Sequence, residues 1–246
     1  QQRVALCSMA SASAILPAAP VAEETKHTTQ PIVTGTSVLA LKYVDGVMLA
    51  ADTLGSYGRL TRFTDLRRLR KCGDNTIVGA GGEYSDFQHI MELLEDLRRD
   101  ERSHEDGEFL TPNEIHSYLT RVMYNRRSKG DPLWNALIIA GVDHKGKSFV
   151  GTVDHLGTAF CDDFIATGFG HHFAMPIMRE EWKADLTEAE ARTLLEKCMR
   201  VCYYRDCNTI NKIQIAKVVA DGAQVSEPYS LETKWDYDSF IKTKAG

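Results

Sequence analysis

Apolar and polar positions fall into clear periods from residue 36 onward. SVLALKY (37–43) alternates as a strand does, DG at 45–46 marks a tight turn, and VMLAAD (47–52) returns as a second strand. LRRLRKC (66–72) and NTIVGAG (75–81) predict two more strands about the turn GDN. The period then changes. SDFQHIMELLEDLRRD (85–100) sets Phe87, Ile90, Met91, Leu94 and Leu97 at helical spacing, with Ser85 or Asp86 as N-cap. A second helix is expected over 113–127 behind the start signal TPNE. Strands return at NALIIAGVD (135–143), KSFVGTVD (147–154) and LGTAFC (156–161). Helices over 170–181 and 187–205 follow, the second opened by LTEAE, and KIQIAKVVA (212–220) is the last strand. Hairpinned strands, then paired helices, then both again imply an α+β fold with antiparallel sheets and helices outside them.

The two ends break this regularity. ASASAILPAAPVAEETKH (10–27) has no aromatic residue and no period, so residues 1–27 read as a leader or arm. SASA resembles a small-residue cleavage site, but Ser and Pro interrupt the apolar stretch that a secretory signal needs. Residues 28–226 form the expected domain and 227–246 a C-terminal extension. That extension carries Tyr229, Leu231, Trp235, Tyr237, Phe240 and Ile241 without a strand or helix period. Aromatics at such density mark a contact surface, with Tyr229, Trp235, Tyr237 and Phe240 as interface candidates; the competing reading is a tail folded back on its own domain.

Composition narrows the function classes. A chain of 246 residues at 43% hydrophobic content can bury one large core. Its net charge of -5 argues against a nucleic-acid partner, and RRLRK (67–71) is too short a basic run to reverse that. No apolar run approaches the roughly 18 residues of a membrane span. The six cysteines form no CxxC pair and no metal spacing, and Cys198 and Cys202 read as small buried hydrophobes on one helix. A reduced, intracellular protein with no metal and no cofactor is expected.

Motif searches leave few chemical candidates. IVGAGGEYSDF (77–87) has the strand, glycine turn and helix of a phosphate cradle. GxGxxG fails at Tyr84 and no GKS or GKT follows, so the glycines read as a strand edge turning into a helix. GxSxG, HExxH and Cys/His signatures are missing. His171-His172 reads as a helix start, and Asp162-Asp163 point to opposite faces of a strand. What stands out is Gly35-Thr36 with Asp52, Arg68 and Asp206. Gly35-Thr36 is either a turn into a strand or a cleavage point that frees Thr36 as an N-terminal nucleophile.

TGTSVLALKYVDGVMLAADTLGSYGRL (34–60), GAGGEYSDFQ (79–88), NRRSKGDPLWNALI (125–138) and CMRVCYYRD (198–206) resemble β-type subunits of the 20S proteasome from about residue 28 to the tail. The resemblance implies the four-layer αββα sandwich of N-terminal-nucleophile hydrolases. In active members the Gly-Thr bond is cut, the threonine hydroxyl attacks, and its own amine is the general base. The resemblance puts Thr36 at the nucleophile position, Asp52 and Asp206 at the two supporting aspartates, and Arg68 at the position of the catalytic lysine. Arg67 and Lys71 come into question only if the register slips. Arginine as a residue type keeps its charge at working pH and cannot exchange the proton. Thr167 stands where active members have serine. DCNTIN (206–211) brings Thr209 and Ile210 in place of serine and glycine, and a β-branched residue resists a positive φ. In the intact chain the Thr36 nitrogen is an amide, and relatives trim the leader nearer Thr28 or Thr29.

The site of Thr36, Asp52, Arg68, Thr167, Asp206 and Thr209 therefore reads as vestigial, and the chain as a non-catalytic subunit. The alternatives are an active threonine endopeptidase with Thr36 as nucleophile and an unrelated binding protein on the same sandwich. The resemblance implies α and β partners in a particle of twenty-eight subunits, assembly chaperones, a tail reaching the opposite β ring, and residence in cytoplasm and nucleus.

Overall fold

A computed structural model describes residues 32–103 and 109–236. The leader, Thr28, Thr29, Tyr237 and Phe240 lie outside the described residues. The chain begins with β1 (Thr34–Gly35), then the hairpin β2 (Val38–Tyr43) and β3 (Gly46–Asp52), a short hairpin β4 (Gly55–Tyr57) and β5 (Leu60–Phe63), then β6 (Leu69–Lys71) and β7 (Thr76–Glu83). Helices α1 (Tyr84–Ser103) and α2 (Pro112–Ser128) follow. Next come β8 (Asn135–Val142), β9 (Ser148–Val153), β10 (Ala159–Cys161) and β11 (Phe164–Ala166). The chain continues through α3 (Gly170–Phe173), α4 (Met175–Glu181), α5 (Glu188–Arg205), β12 (Lys212–Val219), β13 (Gly222–Val225) and β14 (Tyr229–Ser230).

Two antiparallel sheets result. The larger runs β10-β9-β8-β7-β1-β4-β5 with β6 also on β7; the smaller runs β11-β2-β3-β12-β13 with β14 also on β12. The alternation in β2 and β3 explains how they are covered. Val38, Ala40, Val47, Leu49 and Ala51 share a cluster with Ile77, Ile138, Ala140 and Val150 of the larger sheet. Their alternates Leu39, Leu41, Met48 and Ala50 pack with Met178, Leu195, Cys198 and Cys202 from the helices α4 and α5. A third cluster sets Val78, Leu137 and Ile139 against Phe87, Ile90, Leu94 of α1 and Ile115, Leu119, Met123 of α2. A strand buried on both faces must be apolar at nearly every position, and β2 and β3 are.

The helix starts at TPNE and LTEAE are capping boxes. Thr111 and Thr187 accept from the backbone of Glu114 and Glu190, whose carboxylates accept in return. The single helix expected over 170–181 is two, broken at Ala174 because Pro176 at the start of α4 has no N–H to continue the ladder. The strand expected over 66–72 shrinks to Leu69–Lys71. The hairpin β4–β5, β1, β11 and β13 were not expected at all. Part of the tail is at home: Ser230 and Tyr229 pair with Lys212 and Ile213, and Leu231 is buried.

Candidate functional site

The site forms where β1, β2, β3 and β7 meet the loop after α5. Arg68, in the segment that leads into β6, points inward and is 2% exposed. A guanidinium has five N–H donors. Here all five are taken. Nε donates to the Asp52 carbonyl (3.1 Å). Nη1 donates to the carbonyls of Thr36 (3.3 Å) and Ala80 (3.2 Å). Nη2 donates to the Ser37 carbonyl (3.1 Å) and in a short contact to Asp52 Oδ1. The other carboxylate oxygen of Asp52 accepts from the Ile210 N–H at 3.2 Å. Complete burial pushes the Asp52 carboxyl above its ordinary range, opposed by the Arg68 charge and by the Ile210 N–H.

Glycines make room for this cluster. A Cβ on Gly35 would collide with the Arg68 side chain, so Gly35 is required whether or not the bond after it is ever cut. At Gly81 a Cβ would strike the Thr36 carbonyl oxygen, and Gly82, at φ +90°, lies against the Trp134 carbonyl. The GAGG run is therefore no turn: β7 continues through it to Glu83, and the glycines admit close backbone neighbours.

The remaining candidates spread outward. The Thr36 hydroxyl donates only a long bond, 3.4 Å, to the Asn208 carbonyl. Its nitrogen is an amide behind β1, whose Thr34 pairs with Ser56 of β4 on one side and Glu83 of β7 on the other. Asp206 does not reach Thr36. Its Oδ1 accepts from the Asn208 N–H (2.9 Å), and its Oδ2 is buried with no hydrogen-bond partner among the described residues. Thr209 donates to the Asp206 carbonyl at 3.0 Å, closing the same turn. Thr167 ties β2 to the start of the α3 loop, accepting from the Val38 N–H (3.2 Å) and donating to the Val38 carbonyl (3.3 Å). Ser37, which the sequence reading passed over, accepts from the Gly170 N–H at 2.8 Å. Beside it, burial pushes the Cys202 thiol up to about 12. As chemistry, the cluster is a buried ion pair locking β3 and β7 to the Thr36-Ser37 link and to the loop after α5.

A family model described as "Proteasome subunit" matches residues 32–218. The chain belongs to the proteasome subunit family. Over 224 residues it is 51% identical to proteasome subunit beta type-4 of Arabidopsis thaliana, covering 91% of each chain. It is 48% identical to proteasome subunit beta type-4 of Xenopus laevis, over 90% of this chain and 92% of that one. Proteasome subunit beta type-7 of Saccharomyces cerevisiae is 43% identical over 227 residues, 88% of this chain and 85% of the other.

In this proteasome subunit family member the tail candidates divide. Tyr229, expected as an interface anchor, packs on its own domain: its hydroxyl donates to Glu196 at 2.6 Å and the Arg192 guanidinium lies 5.2 Å above its ring. Trp235 is 54% exposed, edge-on to Tyr204 at 5.0 Å and Tyr203 at 5.7 Å. Among the described residues no group of His, Cys, Asp and Glu could hold a metal ion. No helix there is long and apolar enough to cross a membrane.

Proposed function

We propose that this chain is a non-catalytic structural β subunit of the 20S proteasome core particle, serving ring assembly and the pairing of half-particles in ATP- and ubiquitin-dependent protein degradation. The observation that carries the reading is the saturation of Arg68. With every donor committed to Asp52 and to backbone carbonyls, no N–H is left to activate the Thr36 hydroxyl.

The three apolar clusters support a four-layer αββα sandwich of the N-terminal-nucleophile type, with α1 and α2 on one face and α3 to α5 on the other. The partners are the other α and β subunits of the particle, with assembly chaperones on the way. The Trp235 ring lies on Tyr203 and Tyr204, and the tail from there onward is the segment that would reach the opposite β ring. The residence expected is cytoplasm and nucleus.

The test treats assembled particles with a tagged peptide epoxyketone, whose adduct needs a threonine hydroxyl and a free amine together. Mass spectrometry should find no label on Thr36 while sister subunits are labelled. A stoichiometric adduct on Thr36 would establish the active endopeptidase instead. Removing residues from Trp235 onward should leave the domain folded and make half-particles accumulate on native gels. Normal pairing by the truncated chain would sink the assignment of the tail.

A further inference from the structure

The hairpin β4–β5 ends the larger sheet. Among the described residues β5 pairs with β4 on one side and with no strand on the other. All four of its residues are exposed, including Leu60 at 62% and Phe63 at 46%. Tyr57 on β4 is 57% exposed and Ile32 51%. The pairings Tyr57–Leu60 and Gly55–Phe63 set Tyr57, Leu60 and Phe63 on one face of the hairpin. Exposed apolar groups this concentrated on a free edge mark a binding surface.

Charge narrows the occupant. Arg59 and Arg62 flank the apolar residues, and neither has an ion pair among the described residues. The Arg62 guanidinium carbon sits 5.6 Å over the Phe63 ring, which holds its charge at the edge. The register between β4 and β5 also shifts between Gly55 and Ser56, so that Arg62 is the extra residue of a bulge. A bulged edge resists indiscriminate pairing and accepts a short, matched strand.

We propose that this hairpin is a docking edge for an extended acidic segment of a neighbouring subunit. That segment adds as a strand on β5, covers Tyr57, Leu60 and Phe63 with its apolar side chains, and meets Arg59 and Arg62 with its carboxylates. The proposal goes beyond the functional reading above and rests on it only in taking the chain as one subunit of a larger particle.

Hydrogen exchange on the free full-length chain and on the purified particle tests it. The Leu60–Phe63 amides should exchange about a hundredfold more slowly in the particle. A photo-crosslinking side chain at Leu60 should join, within that particle, a Glu- or Asp-containing segment of a different subunit. The double variant Arg59→Glu, Arg62→Glu should keep its thermal midpoint but enter particles about tenfold less well at matched expression. Unchanged exchange at β5 on assembly overturns the proposal even if the variant proves unstable. So does a crosslink to residues 1–31 of the same chain, which would make the leader the occupant. Failure of the wild-type chain to enter any particle would sink the functional reading and this proposal together; entry with an unprotected β5 sinks only the proposal.

Discussion

Arg67 and Arg68 are neighbours in the chain and opposites in environment. Arg68 is walled in between the sheets, with all five donors used and a buried carboxylate against it. Arg67 reaches over the surface to Glu227 at 3.1 Å and Asp65 at 3.6 Å, partners that are themselves well exposed. The same side chain is a structural pin in one place and a loose surface contact in the other. The difference comes from desolvation: a charge taken out of water must find all its partners inside the protein, whereas at the surface water supplies whatever the protein does not.

The largest effect should come from breaking the interior pair. Arg68→Ala strips the Asp52 carboxylate and four backbone carbonyls of their bonds to the guanidinium and should cost about 3–5 kcal/mol in urea unfolding. Replacing both charges, Arg68→Met with Asp52→Leu, should recover most of that loss, because the uncompensated charge is what hurts. If the double variant is as unstable as the single one, the carbonyl bonds rather than the charge dominate. Next in size is Gly35→Ala, whose methyl group meets the Arg68 side chain; overpacking of this kind costs about 1–3 kcal/mol. Arg68→Lys belongs between these in stability and should leave Thr36 unlabelled by the epoxyketone, since its nitrogen is still an amide.

On the other side of the comparison, Arg67→Ala should cost no more than about 1 kcal/mol, and the difference should shrink with added salt. The smallest effect is a titration. Burial lowers the His116 pKa below its ordinary 6.5, so the unfolded chain takes up the proton first. The stability His116 contributes as a neutral ring is therefore present at neutral pH and is lost as pH falls below about 6.5. Thermal midpoints over roughly pH 5 to 8 should show the slope, and His116→Gln should flatten it.

The sequence disclosed elements wherever burial has a period. α1, α2 and α5 each present an apolar face, β2 and β3 are apolar runs closed by a tight turn, and the two capping boxes announced the starts of α2 and α5 to within one residue. β5 was invisible because all of its residues are exposed, and a strand without a buried face leaves no alternation to read. β1 is two residues long, too short for any pattern. At the site, counting along the resemblance located Arg68 and Asp52. The other acceptors around Arg68 are the carbonyls of Thr36, Ser37, Asp52 and Ala80, which every residue type carries and no sequence distinguishes. The glycines at 81 and 82 were legible as special but not for their reason, because Thr36 and Trp134 come from distant parts of the chain.

β1 also acts as a keystone. In the strand order β7-β1-β4-β5, those two residues are the sole rungs by which the β4–β5 hairpin is laddered to the rest of its sheet among the described residues. Severing the chain after Gly35 and releasing the leader would turn one continuous sheet into two pieces, leaving the hairpin moored at its base, where the Leu66 N–H and the Thr64 carbonyl bond to Thr53. A subunit that keeps this bond whole keeps its outermost edge in register. While the Gly35-Thr36 bond is whole, the residues just before Thr36 work as masonry.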